Sequence, residues 1–202
     1  MVEGRGRRGA IILLLVVPAV LAACAATRLK TSWRDPTVRE IRFDKIVAFV
    51  VAKDEALRRN GEQEVCAQVK TIPCAPAFSV IPDNEVGDVD AVRRRVEAGG
   101  FDGAVVMRLA GRRVEQTYVP PSPAPMWGYY GRGWATAYDP GYVRQDELVD
   151  VETRIYSVKD AKLLWAGTTE TVNPRDVRRT VREIADAVAA ELRQEGLIPR
   201  KG

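Results

Sequence analysis

Residues Asp44–Ala52 read DKIVAFVVA, and this stretch decides the fold. From Ile46 onward every residue is apolar, without the alternation of a half-exposed strand. A strand buried on both faces has this pattern, and such strands lie in sheets covered by helices. Asp54 follows as the cap of a helix running to about Ile72, with Val65, Val69 and Ile72 on its inner face. Pro76 to Ile81 (PAFSVI) reads as a second strand, closed by the turn residues Pro82-Asp83-Asn84. Asp88 then caps a second helix, with Val89, Val92 and Val96 at helical spacing and Gly99-Gly100 ending it.

A third strand begins at Gly103 and extends through Val114 to Tyr118. Two strand–helix–strand steps in this order imply locally parallel strands joined by right-handed crossovers. From Tyr118 to Tyr142 the chain is rich in Pro, Gly and aromatic residues. That is too long for an ordinary connection. Regular structure resumes at Glu147. Val149, Val151, Thr153 and Ile155 alternate with Asp150, Glu152 and Arg154, the pattern of a half-buried antiparallel strand. Lys159-Asp160-Ala161-Lys162 turns it, and Leu163–Thr171 returns as its partner. A last helix is expected with Asn173 as N-cap, Pro174 at its first position and a stripe of Val177, Val181, Ile184, Val188 and Leu192, ending at Gly196. The expected fold is α/β (α+β): one mixed sheet in the order βαβαβ, long aromatic insertion, ββα, with helices packed on the sheet.

Upstream, Arg5, Arg7 and Arg8 precede an apolar run from Ala10 to Val20. A spanning helix needs about 20 apolar residues, whereas a secretory segment needs about 7–15. Leu21-Ala22-Ala23-Cys24 closes the run and resembles the lipobox of bacterial lipoproteins. That resemblance implies removal of residues 1–23 and a diacylglyceryl group on the Cys24 thiol. An ordinary signal peptide with a chance cysteine is the competing reading. Ala25 follows Cys24 rather than Asp, which by the same resemblance favours the outer membrane, with the domain facing the periplasm. The expected organisation is a signal peptide 1–23, a lipidated N-terminus and tether 24–43, and a domain 44–198 with the insertion at 119–145.

The full chain carries a net charge of +4 from 31 Lys+Arg and 27 Asp+Glu. Without Arg5, Arg7, Arg8 and Glu3 these become 28 and 26, a net of about +2. The basicity belongs largely to the signal segment and gives no argument for nucleic acid. There is no histidine. Ser-His-Asp and Cys-His catalysis are thereby excluded, as is any metal site that needs imidazole. Cys66 and Cys74 remain, and an exported chain meets an oxidising compartment, which favours a disulfide between them over free thiols. No metal site and no cofactor are expected.

Among acidic pairs, Asp83 with Glu85 and Asp88 with Asp90 read better as turn and cap residues than as a cation site. Asp146, Glu147, Asp150 and Glu152 read as carboxylates facing solvent. Arg93-Arg94-Arg95 reads as a solvated helix face. The aromatic insertion is the candidate binding surface: Trp127, Tyr129, Tyr130, Trp134, Tyr138 and Tyr142 lie among Pro and Gly. Tyr and Trp favour protein interfaces and headgroup zones, and they stack on sugar rings. A surface loop folded back over its own sheet is the other reading.

Five segments together resemble uncharacterised lipoproteins of Gram-negative bacteria, the domain-of-unknown-function lipoproteins. They are Thr31-Ser32-Trp33-Arg34-Asp35-Pro36, Phe43-Asp44-Lys45-Ile46-Val47, Gly100-Phe101-Asp102-Gly103-Ala104-Val105-Val106, Val151-Glu152-Thr153-Arg154-Ile155-Tyr156 and Lys162-Leu163-Leu164-Trp165. The resemblance implies a compact α/β domain in the envelope and no established activity. The functional expectation is a non-catalytic, lipid-anchored interaction or assembly component, with membrane and envelope proteins or glycan as partners. The alternative is a carboxylate-based envelope hydrolase or glycan-binding protein.

Overall fold

The computed structural model describes residues 27–120 and 141–199. In chain order these form β1 (Thr27–Arg34), β2 (Ile46–Val51), α1 (Glu55–Gln68), β3 (Cys74–Pro76), α2 (Ala77–Val80), a 3-10 turn (Asp83–Glu85), α3 (Val89–Ala98), β4 (Gly103–Val119), β5 (Tyr142–Ser157), β6 (Lys162–Val172) and α4 (Val177–Gln194). The six strands make one open mixed sheet ordered β1-β6-β5-β4-β2-β3. Strand β2 runs parallel to both β3 and β4, and every other pairing is antiparallel.

The apolar run of β2 is buried on both faces because each face meets a different core. Ala48 and Val50 point to one side with Met107, Ile155 and Trp165, under α1 and α4. Val47 and Phe49 point to the other side with Ala104 and Tyr156, under α2 and α3. Trp165, Ile184 and Leu197 are fully buried in the first core. Side chains of this size each contribute about 1.5–3 kcal/mol by leaving water.

Five sequence expectations are corrected. Residues 27–34 are a sheet strand, not part of a tether. The inward positions of β1 are mostly polar, with Leu29 the apolar one: Thr27 Oγ1 lies 2.8 Å from Thr171 Oγ1 and donates to Glu183, while Ser32 donates to Glu191. An edge strand held this way shows no hydrophobic run. The strand expected over Pro76–Ile81 divides into the short β3 and one helical turn. Ile81 N–H donates to Ala77 O, and Ser79 Oγ donates to Pro76 O. Helix α1 ends at Gln68, so Val69 is its C-cap and Ile72 lies beyond it. The cap of α4 is Asp176, whose carboxylate accepts from Arg179 N–H, and not Asn173. Asn173 sits instead in a left-handed turn (φ 50°) whose side chain accepts from Glu147 N–H. The β4–β5 hairpin is also longer than expected, with β5 starting at Tyr142.

Candidate functional site

Most of the sequence-derived candidates fall outside the described residues: Cys24, Trp127, Tyr129, Tyr130, Trp134 and Tyr138. Tyr142 is described, exposed at the start of β5. Cys66 and Cys74 meet in a disulfide with Cα atoms 5.2 Å apart, joining the last turn of α1 to β3. Asp83 pairs with Arg58 and Arg59, Glu85 pairs with Arg95, and Asp88 caps α3. These acidic residues therefore do not converge on one point.

Four of the five resemblance segments meet in two junctions. At one, Asp102 accepts from the backbone N–H of Asp44 and Lys45 at 2.8 and 2.9 Å, and Lys45 Nζ donates to Gly99 O. At the other, Asp35 pairs with Lys162 at 2.9 Å and Asp35 N–H donates to Leu164 O. Hydrogen bonds from Thr37, with Lys162 beside it, pull the Asp35 carboxyl to about 2. Both junctions hold strand ends together.

The face of the sheet turned away from α4 carries a charge ladder that local sequence reading missed. Glu170 on β6 is only 1 % exposed, yet it pairs with Arg28 at 2.7 Å, with Lys30 at 3.4 Å and with Arg113. Beside it, Asp150 on β5 pairs with Lys30 and Arg113, and Glu152 pairs with Arg108 and Arg154. The ladder spans β1, β6, β5 and β4, because Arg28, Glu170 and Asp150 lie opposite one another in register. The Arg28 guanidinium, followed by Arg113 and Lys30, holds the Glu170 carboxyl at about 2. Asp150 and Glu152 were expected to face solvent, and instead they are sheltered under these cationic arms. The signal available in the sequence was the odd placement of Glu170 within Thr168-Thr169-Glu170-Thr171. Its partners come from two distant strands, which no local pattern reveals.

Beyond this ladder the hairpin continues as a two-stranded arm. Strand β6 covers β5 only from Leu148 to Ser157. Residues Val114–Val119 and Tyr142–Glu147 therefore pair only with each other in the sheet. Register places Val114, Gln116, Tyr118, Val143, Gln145 and Glu147 on one face of the arm, and of these Val114, Tyr118 and Val143 are apolar or aromatic and each more than half exposed. The opposite face carries Glu115, Thr117, Arg144 and Asp146, with Val119 and Tyr142 toward the tip. The arm thus exposes apolar and aromatic side chains among polar ones, and Val119 and Tyr142 pair at its far end. The base of the arm is fixed, since Asn173 bonds Glu147 N–H and Asp146.

At the opposite side of the sheet, an apolar cleft of about 370 Å³ opens between β2, α1 and α3. Phe49, Val51, Ile81, Val86 and Val89 line it, with Glu62 and Arg58 as its charged groups. Glu62 is buried, and its two oxygens accept from Phe78 N–H at 2.8 Å and Val50 N–H at 3.4 Å. Strand β3 pairs with β2 only as far as Ala48, so Glu62 takes a strand N–H that β3 leaves over. Burial pushes the Glu62 carboxyl up, against those two hydrogen bonds. A general acid needs a raised pKa and a free proton position. Glu62 has the first, but both its oxygens face backbone donors.

No family model matches the sequence, and no curated protein matches it. Among solved structures, the chain is similar to a dodecameric PelC variant from Paraburkholderia phytofirmans, at 10% identity and TM-score 0.44, covering 81% of this chain and 94% of that one. A second crystal form of that dodecamer gives 9% identity and TM-score 0.42 over 86% and 98% of the two chains. Lipoprotein GNA1162 from Neisseria meningitidis gives 12% identity and TM-score 0.37 over 74% and 98%. All three are distant likenesses of shape.

Proposed function

We propose that this chain is a lipid-anchored envelope protein that works without catalysis, as an interaction or assembly component held against the membrane. One observation carries the reading. Thr27 is already bonded into the sheet through Thr171 and Glu183, only three residues after the lipobox cysteine Cys24. A lipid on Cys24 would therefore hold the sheet itself at the bilayer, with no stalk between. Three residues span at most about 11 Å. Two or more acyl chains anchor stably, whereas one binds marginally. Ala25 after Cys24 supports an outer-membrane address with the domain in the periplasm.

The non-catalytic part of the reading rests on the absence of histidine and on the engagement of the acidic groups. Asp150, Glu152 and Glu170 are ion-paired, and Glu62 is bonded to two backbone N–H groups. The contact surface for protein partners is the open ladder face beside the edge strand β1, where Trp33 stands half exposed.

The test has two parts. Cys24→Ser should abolish the mass gain from lipid and release the protein from the membrane fraction. A variant that stayed fully membrane-bound with no lipid would overturn the anchor. A photo-crosslinker at Trp33 or Thr168 should trap envelope proteins in intact cells. Failure to trap any from either site would remove the ladder face as the contact surface.

A further inference from the structure

We infer that the β4–β5 arm is a membrane-contact element whose Val114–Tyr118–Val143 face docks on an anionic lipid surface. The inference rests on the proposed anchoring at Cys24 and goes beyond it by assigning a second, non-covalent point of attachment.

The argument is one of lengths and directions. Thr27 lies opposite Thr171, Thr171 opposite Val149, and Val149 opposite Arg112. The start of β1 therefore lies at the arm end of the sheet, in the same row as Arg112. From Arg112 the arm runs on to Val119, seven residues further, or about 23 Å at strand spacing. The link from Cys24 to Thr27 reaches at most about 11 Å. With the strands upright over the bilayer, the arm would thus pass the point of lipid attachment by about 12 Å. The arm must then enter the headgroup layer or tilt to lie along it.

Its surface chemistry suits that position. Val114, Tyr118 and Val143 are each more than half exposed on one face, beside the neutral Gln116 and Gln145 and, at the base, Glu147 paired with Arg112. A tyrosine beside Val143 near the end of the arm suits the headgroup level, where its ring has an apolar and a wet side. At the base of the arm, the turn held by Asn173 on Glu147 leads directly into Arg175 and Arg178, both exposed. Cations next to an exposed apolar face are the composition that binds anionic headgroups.

The test uses the full, acylated chain reconstituted into vesicles of phosphatidylethanolamine and phosphatidylglycerol. A nitroxide is placed at Val143→Cys in one sample and at Lys159→Cys in another. Lys159 is exposed in the β5–β6 turn, at the opposite end of the sheet. Flotation first reports whether the protein is anchored. Relaxation by oxygen, relative to a water-soluble nickel complex, then reports depth. The Val143 label should show a ratio several-fold above that of the Lys159 label. If the protein floats and the two ratios are equal, the arm does not meet lipid and this inference falls while the anchor stands. A Val143 label shielded from both reagents would mean a protein contact, which also overturns it. If the protein does not float, the anchoring reading fails and carries this inference down with it.

Discussion

Arg28 lies 75 % exposed on the edge strand, and its guanidinium covers Glu170, which is fully buried one strand inward. The pair joins the first described strand to the sixth, 142 residues apart. Because Glu170 has a carboxyl held at about 2 against an ordinary 4.5, its contribution to stability is complete above pH 4.5 and is lost as the pH falls toward 2. Acidification through that window should therefore loosen β1. In Glu170→Gln the dependence over this window should flatten. The melting temperature at pH 7 should fall by roughly 5 °C or more, since Arg28, Lys30 and Arg113 are left facing one another. Thermal unfolding of both proteins between pH 2 and 7 checks this. Superimposable curves would remove Glu170 from the account.

Glu62 has the opposite sign. Its carboxyl is raised by burial, so the folded state holds the proton more tightly than the unfolded chain. Its contribution is fully present below the ordinary value of 4.5 and is lost as pH rises through the folded value. Glu62→Gln removes this dependence but turns one amide N–H₂ toward a backbone donor, either Val50 or Phe78. The variant should be destabilised by about 1–3 kcal/mol at pH 7, the cost of one unmade buried hydrogen bond. Urea unfolding at pH 5 and pH 8 measures both effects.

The elements legible in the sequence are those whose partners are encoded locally. Helix α3, the β5–β6 hairpin and the apolar stripe of α4 all carry their own period. Strand β1 was not legible because only Leu29 of its inward residues is apolar, while Thr27 and Ser32 are polar and find their partners on β6 and α4. The apolar stretch PAFSVI has no period long enough to separate strand from helix, and three residues of pairing with β2 decide it. The expected N-cap of α4, Asn173, bonds Glu147 N–H instead, a contact between distant segments that no local pattern shows, and Asp176 caps the helix. The charge ladder and the two-stranded arm needed cross-strand register, which alternation within one strand cannot supply.

The Cys66–Cys74 bond closes a loop of eight residues' separation between α1 and β3. Loop-closure entropy for so short a ring gives a stabilisation of about 2–3 kcal/mol. Replacing both cysteines by serine should lower the urea midpoint accordingly without changing the slope. Alkylation of the unreduced, unfolded protein should leave Cys66 and Cys74 unmodified in the mass spectrum. Full modification of both would show that the bond does not form.

Gly167 carries the sharpest packing constraint in the sheet. It lies on β6 two residues after Trp165, on the same face, and a Cβ there would collide with the six-membered ring of that tryptophan. Trp165 is fully buried, so the ring has no open space to swing into. Overpacking in a tight core costs about 1–3 kcal/mol and occasionally more. Gly167→Ala should fall at the upper end, about 3 kcal/mol, because the obstructing atoms are a rigid ring. Trp165→Phe alone should also destabilise, by leaving a cavity where the larger ring stood. The two changes together should cost less than the sum of each alone, since the smaller ring vacates the space the new methyl needs. A double-mutant cycle in urea measures that coupling. Simple additivity would mean that the ring and the glycine do not constrain each other.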